Sequence, residues 1–193
     1  MRAVLNPELI SEEEYLADEL QSEVRHEYIG GHVYAMAGAS DEHNRIALNI
    51  ASELHQRLRG KRCEAFINDM KLKLARFETF YYPDVLVSCD PSDKAKHFRE
   101  RPSVVFEVLS PETERIDQNE KRKAYAAIDS LQVYVLVAQD RFEAMLLRKA
   151  GEGAWTTEIL RGRDTVLKLP EIGVEIPFER VYERTSLLTN QPG

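Results

Sequence analysis

Two hydrophobic periods run through this chain. Between residues 41 and 59, apolar side chains return every four residues at Ile46, Ile50, Leu54 and Leu58, with Ala47 and Ala51 beside them. That spacing predicts one amphipathic helix with a single buried stripe, and Gly60 follows as its C′ residue. A shorter helix is predicted over residues 11–21, where Ser11 caps the start and Glu14 follows three residues later, the pattern of a capping box. The second period is that of strands. HEYI and HVYAM flank Gly30-Gly31 and predict a two-residue hairpin. Residues 63–66, 70–74 and 84–89 are short and strand-like. Residues 104–109 (VVFEVL) and 133–137 (VYVLV) are continuous apolar runs on either side of a helix predicted over 116–128. Such runs imply strands covered on both faces and parallel neighbours joined by a crossover. Residues 90–101 form a polar loop. From Phe142 on, alternation broken by GEG and GRD turns predicts antiparallel strands that extend the sheet, and residues 177–182 a short helix. The fold class is mixed α/β: one central sheet, part parallel and part antiparallel, with a few helices and no dividing linker.

Composition narrows the classes. At 193 residues the chain suits one domain that needs no disulfide or structural metal to fold. Lys and Arg number 26 against 33 Asp and Glu, a net charge of −7, so the chain as a whole has no attraction for nucleic acid or anionic membranes. Nucleic-acid binding would need a local basic groove or metal ions. The two cysteines, Cys63 and Cys89, exclude a disulfide-rich scaffold and a four-cysteine zinc site, and both read as buried thiols in a reducing compartment. The N-terminus lacks the apolar stretch of a secretory signal, and no apolar run approaches the roughly 18 residues of a transmembrane helix. The expected location is the cytoplasm.

Several chemistries are missing. There is no P-loop, no H-E-x-x-H and no G-x-S-x-G, and Gly151-x-Gly153 sits in a turn without a third glycine. What stands out is charge inside apolar strands. Asp84 follows Pro83 and opens DVLVSC; Glu107 lies in the middle of VVFEVL. Asp84 alone reads equally as a strand-start turn residue, and Glu107 alone as a salt-bridged or edge residue. A buried, unpaired carboxylate costs several kcal/mol, so a mid-strand glutamate needs a partner or a task. Together the two can converge on a hard divalent cation, which one or two carboxylates plus water and substrate phosphate suffice to hold. Asp117, Lys121 and Tyr125 follow at i, i+4 and i+8 and share a helical face. That face is either solvated, with Asp117 as N-cap and Glu120 as its box partner, or it turns Lys121 toward the two carboxylates.

These residues carry a resemblance. Pro83-Asp84, a long gap, and Glu107-Val108-Leu109 resemble the PD-(D/E)xK nuclease superfamily. EYIGGHVYAMAGAS, the helix with His43, DMKLKL, YYPDVLVSCD, PSVVFEVLSPET, the D-x3-K-x3-Y helix and LQVYVLV together resemble the Uma2 family of restriction endonuclease-like proteins. The resemblance implies a single restriction endonuclease-like domain over 1–193, with residues 1–24 as a helical lead-in, a core over about 25–185 and added antiparallel strands. It implies a metal-dependent endonuclease acting on DNA, with Mg²⁺ or Mn²⁺ held by Asp84, Glu107 and the Val108 carbonyl. The superfamily pattern would put lysine at 109; this chain has Leu109, and Lys121 is the candidate that replaces it. Glu27 is implied as a further acidic residue near the metal, and His43 and Tyr125 as substrate contacts. Each also has a plainer reading: a surface strand carboxylate, a helix N-terminal polar contact, and a cleft-edge packing residue.

Lys71 and Lys73 alternate with Met70, Leu72 and Leu74 and so face one side. They line a backbone groove or form the wet face of their strand, the second being the plainer reading. Residues 94–101 are a basic stretch that touches phosphate or is simply a flexible loop. Two functions compete: a Mg²⁺-dependent DNA endonuclease, and a non-catalytic binding or assembly module on the same fold, with hydrolysis of another phosphate ester as a third. A homodimer is expected because duplex cleavage needs two sites related by a two-fold axis. Truncating Lys121 is expected to abolish cleavage while changing stability little.

Overall fold

The computed structural model of the chain describes residues 9–110 and 120–189. Helix α1 (Glu12–Glu19) begins at Ser11, whose hydroxyl accepts from the Glu14 N–H while the Glu14 carboxylate accepts from the Ser11 N–H, the reciprocal capping box expected. Strands β1 (His26–Ile29) and β2 (His32–Ala35) form the hairpin about Gly30 and Gly31, with φ of 53° and 88°. Positive φ at both central residues is the tight turn whose twist matches paired strands. A Cβ on Gly31 would meet the Leu9 side chain at 2.9 Å, so close packing as well as conformation selects glycine there. Helix α2 (Asp41–Leu58) buries Ile46, Ala47, Ile50, Ala51, Leu54 and Leu58, the stripe its periodicity predicts.

The strands divide differently from the single sheet expected. Six of them pair in the order β11 (Trp155–Arg161), β10 (Glu143–Lys149), β9 (Val133–Ala138), β8 (Pro102–Leu109), β6 (Val85–Ser88) and β3 (Glu64–Ile67). Five others pair in the order β2, β1, β5 (Thr79–Tyr81), β4 (Lys71–Leu74) and β7 (Phe98–Arg99). β12 (Val166–Leu169) and β13 (Val174–Pro177) form a separate ribbon, followed by α4 (Phe178–Val181). Only β8 with β9 and β4 with β7 are parallel among the described strands. The division falls at residues 82–84, where the chain leaves β5 in one sheet and enters β6 in the other. Pro83 stands there; it has no N–H to continue a ladder, which suits a break between sheets. The coarse class holds: a mixed α and β fold with mixed sheets. β5 and β7 escaped the sequence reading because each is only three or two residues long, and β7 lies within the polar stretch read as loop.

β8 is buried along its whole length because both its faces are covered. Val104, Phe106 and Val108 join α2, β13 and α4 in one core cluster. Val105 and Leu109 join Leu72, Leu86, Tyr125 and Leu136 in another, on the opposite face. Alternation therefore points Glu107 into the second cluster, toward the five-stranded sheet. The polar loop at 90–101 is pinned by Asp93, which accepts from the N–H groups of Glu100 and Arg101, and by an Asp90–Arg101 ion pair at 3.0 Å.

Three expectations are corrected here. Cys63 and Cys89 are joined in a disulfide that ties the start of β3 to the end of β6; they are not free thiols, and the reducing-compartment reading built on them falls. Adjacent antiparallel strands place cross-strand neighbours close enough to bond, a proximity the sequence separation of 26 conceals. Lys71 and Lys73 are not a wet face. Lys71 is 4% exposed, and Lys73 is paired with Glu12 at 2.7 Å over the rings of Phe80 and Phe98. The five-stranded sheet lies under α1, so that side of β4 is covered. No helix among the described residues is long and apolar enough to cross a membrane.

Closing a loop of 26 residues is worth about 3 kcal/mol through restriction of the unfolded chain. Urea unfolding in the presence of a thiol reductant is expected to show a loss of that order, with Cys63→Ser behaving likewise. An unchanged midpoint would mean the two sulfurs are not bonded in solution.

Candidate active site

The crossover between the sheets gathers the charged residues. In the six-stranded sheet, Val85 pairs with Phe106 in antiparallel register. Continued by one residue, that register sets Asp84 opposite Glu107, where side chains share a face. The Asp84 carboxylate accepts from the Val108 N–H at 2.7 Å through Oδ2, and His43 Nε2 lies 3.3 Å from the same oxygen. His43 is delivered by the first turn of α2, where the Ser40 hydroxyl accepts from the His43 N–H at 3.1 Å. In the five-stranded sheet, Tyr28 pairs with Phe80, and the same continuation sets Glu27 opposite Tyr81. Tyr28 packs with Tyr15 and Phe80 in an aromatic cluster, so alternation turns Glu27 to the other face, toward β8.

Lys121 joins the two sheets. Its ammonium lies 3.0 Å from Glu107 Oε1 and 3.3 Å from Glu27 Oε1, and 5.5 Å above the Tyr81 ring. Residues 120–121 form a wide, π-type turn that runs into α3 (Arg122–Ala126). Tyr125, one turn on, donates its phenol to the same Glu107 Oε1 at 3.0 Å. The shared face of Lys121 and Tyr125 thus converges on one oxygen; Asp117 lies outside the described residues. All three ions are buried, with residue exposures of 4% for Glu27, 4% for Glu107 and 5% for Lys121. Asp84 and His43 are partly open, at 17% and 19% of their side chains. The arrangement is a buried lysine–carboxylate clamp with an accessible aspartate–histidine pair at its front.

Each candidate has its place. Asp84, Glu107, Lys121 and Glu27 form this constellation, with His43 at its open edge. One reading changes. Tyr125 has no exposed surface and packs edge-on against Tyr81 and Tyr134 at 5.8 and 5.0 Å, so it orients Glu107 and is not a substrate contact. Val108 meets Asp84 through its N–H, a contact the sequence reading did not foresee. Burial, followed by the Glu107 charge, pushes the Tyr125 phenol well above the usual tyrosine range. Tyr81 was missed altogether; its signal was its position three residues before Asp84, on the strand that faces Glu27.

Divalent-ion chemistry must fit these donors. The candidate ligands Asp84, Glu107 and the Val108 carbonyl are all hard oxygen donors, and a magnesium-type ion accepts one or two carboxylates with the remaining positions left to water and phosphate. Among the described residues no group of three or more His, Cys, Asp and Glu side chains converges as a self-sufficient metal cage. Oxygen donors of this kind suit an ion shared with substrate.

A nuclease-like α+β fold is what this topology defines. A crystal structure of a putative nuclease belonging to DUF820 from Anabaena variabilis ATCC 29413 superposes with a TM-score of 0.66 over 90% of this chain and 97% of its own, at 18% identity. The chain belongs to the Uma2 family, described as putative restriction endonucleases, which matches residues 12–179. Two proteins of Synechocystis sp. (strain ATCC 27184 / PCC 6803 / Kazusa) resemble it along their length. The uncharacterized protein slr1290 is 36% identical over 174 residues, 90% of this chain and 91% of its own. The uncharacterized protein sll1609 is 31% identical over 171 residues, 87% and 97%.

The buried clamp changes what Lys121 truncation should do. Removing one partner leaves buried carboxylates uncompensated, which costs about 3–5 kcal/mol. Lys121→Ala is expected to lower unfolding stability at neutral pH by that much; a change below about 1 kcal/mol would place the ammonium in solvent. Alkaline titration offers a second check. A phenol whose folded value is raised stabilises fully below the ordinary value of 10.0 and loses that contribution as pH rises beyond it. Tyrosinate absorbance is therefore expected to lag in the native protein and to appear with unfolding above pH 10.0, whereas a Tyr125→Phe variant should lose one reluctant phenol.

Proposed function

We propose that this protein is a metal-dependent endonuclease that hydrolyses DNA phosphodiester bonds at the Asp84–Glu107–Lys121 site. One observation carries the reading: Lys121, on a separate element from Glu107, brings its ammonium to 3.0 Å from Glu107 Oε1 and so stands in for the lysine that Leu109 displaces. Family membership supports the reaction class. Bound Mg²⁺ or Mn²⁺ would supply charge neutralisation at the scissile phosphate and acidify a water. Asp84, Glu107 and the Val108 carbonyl would hold that ion.

The chain's own groups do the rest. The Val108 N–H fixes the Asp84 carboxylate from one side, leaving its rotamer little freedom. Lys121 sets the local field: its positive charge offsets two carboxylates and would stabilise the charge that develops on a phosphoryl oxygen. Tyr125 holds Glu107 Oε1 in place. Glu27 keeps Lys121 drawn toward the five-stranded sheet. His43, at the open edge, is within reach of a substrate phosphate or an attacking water. In this reading the protein acts as one domain and as a homodimer whose two sites address the two strands.

A second reading is favoured by the burial itself. An ion cluster exposed by only 4–5% also serves to lock two sheets and a helix together, as a non-catalytic binding module on this fold would require.

Plasmid cleavage separates the two. Asp84→Asn preserves the shape and an acceptor for the Val108 N–H. The wild type is expected to cut in Mg²⁺ or Mn²⁺ and to stop on chelation, and Asp84→Asn to fall by at least about 100-fold. A dimer should yield linear product directly from supercoiled plasmid. A wild type inactive with both ions, or an Asp84→Asn variant as active as the wild type, would leave the binding module.

A further inference from the structure

Beside the clamp lies a cleft of about 580 Å³ whose lining includes Phe66, Ile67, Met70, Lys71, Tyr82 and Lys96. Lys71 is its unusual member. The residue is 4% exposed, yet among the described residues no acceptor lies within hydrogen-bonding or ion-pairing distance of its ammonium; its recorded neighbour is the Tyr82 ring at 5.3 Å. Three acids line the same cleft: Glu23 is exposed at its edge, and Glu19 and Asp69 are engaged. Glu19 accepts from the Tyr82 phenol at 2.7 Å and from the His26 N–H at 2.8 Å, and its other oxygen meets His26 Nδ1 at 2.9 Å. Asp69 is paired with Arg25. The stem of Lys71 is buried and its ammonium opens on the cleft, where an anionic oxygen that enters beside it gains a charge-assisted hydrogen bond.

We infer that this cleft is a binding site for a phosphate ester of a nucleotide, with Lys71 as its anion anchor and Lys96 at its rim. Lys71 and Lys96 offer positive charge to the phosphate. Phe66, Ile67 and Met70 offer an apolar wall to the base or sugar. The volume falls within the range of small-molecule sites, roughly 300–1,000 Å³. Burial lowers the Lys71 pKa, and the Glu19 and Asp69 charges only partly oppose it. The cleft is also tied to the clamp. The Asn68 N–H donates to the Asp84 carbonyl at 3.3 Å, and Tyr82 precedes Asp84 by two residues, at most about 7 Å along the chain. The ester can be a free mononucleotide or a backbone phosphate of a strand that passes the clamp. Binding at the cleft requires neither cleavage nor a metal, so the inference goes beyond the nuclease reading and stands or falls separately from it.

Calorimetric titration of the full-length protein in chelator, with inorganic phosphate, 5′-dTMP and a short single-stranded oligonucleotide as the three probes, tests this. Lys71→Met keeps the buried stem and removes the charge, and Lys96→Ala removes an exposed charge without threatening the fold. Thermal melting is expected to show Lys71→Met at least as stable as the wild type. The wild type is expected to bind 5′-dTMP saturably, with affinity falling roughly 10- to 100-fold in Lys71→Met and several-fold in Lys96→Ala. Saturable binding of inorganic phosphate or 5′-dTMP that weakens in this way supports a free-nucleotide site. The same weakening for the oligonucleotide alone supports a chain-phosphate site. No saturable binding of any probe, or affinities that Lys71→Met and Lys96→Ala leave unchanged, would overturn the inference.

Discussion

An ammonium held between two buried carboxylates is the constraint around which this molecule is arranged. Glu27 comes from the five-stranded sheet, Glu107 from the middle of the six-stranded sheet, and Lys121 from the turn before α3. Each ion taken alone from water would cost several kcal/mol. They are tolerable only together, so the two sheets and the helix must keep one mutual position. Strand register is under the same control. A slip of β8 by one residue would carry Glu107 into the aliphatic cluster on the other face and leave Lys121 against Phe106 or Val108. The polar contact selects the register that hydrophobicity alone leaves open, since β8 is apolar on both faces.

The crossing at residues 82–84 turns this constraint into a site. Pro83 ends pairing in one sheet before the chain enters the next, and Asp84 emerges there partly exposed, fixed by the Val108 N–H. Buried charge behind and accessible carboxylate in front is the arrangement that the proposed phosphodiester chemistry needs. The rear supplies a fixed field, and the front supplies oxygen donors that a substrate can approach. The proposed reading takes its reaction class from family membership, and in it Lys121 fills the place that Leu109 leaves without a lysine.

Much of this was legible in the sequence where local rules suffice. Ser11 with Glu14, the stripe from Ile46 to Leu58 and the glycine pair at 30 and 31 each specify their own element through capping, periodicity or φ. Glu107 was legible as a misfit in an apolar strand, and Lys121 with Tyr125 as a shared helical face. What escaped depends on contacts between segments remote in sequence. The Cys63–Cys89 bond follows from β3 pairing with β6. The burial of Lys71 follows from α1 covering β4. The division into two sheets follows from a three-residue crossing. Glu27 reached the candidate list through family resemblance alone, because nothing local distinguishes it from a surface strand glutamate.

Crystals soaked in Mn²⁺ and measured for anomalous scattering address the central claim most directly. The account predicts an anomalous peak bridging Asp84 and Glu107, with ligand distances of about 2.1 Å and Lys121 still against Glu107. Density without such a peak at saturating Mn²⁺, with the clamp unchanged, would contradict a metal-dependent site and leave the ion cluster as the structural lock of a binding module.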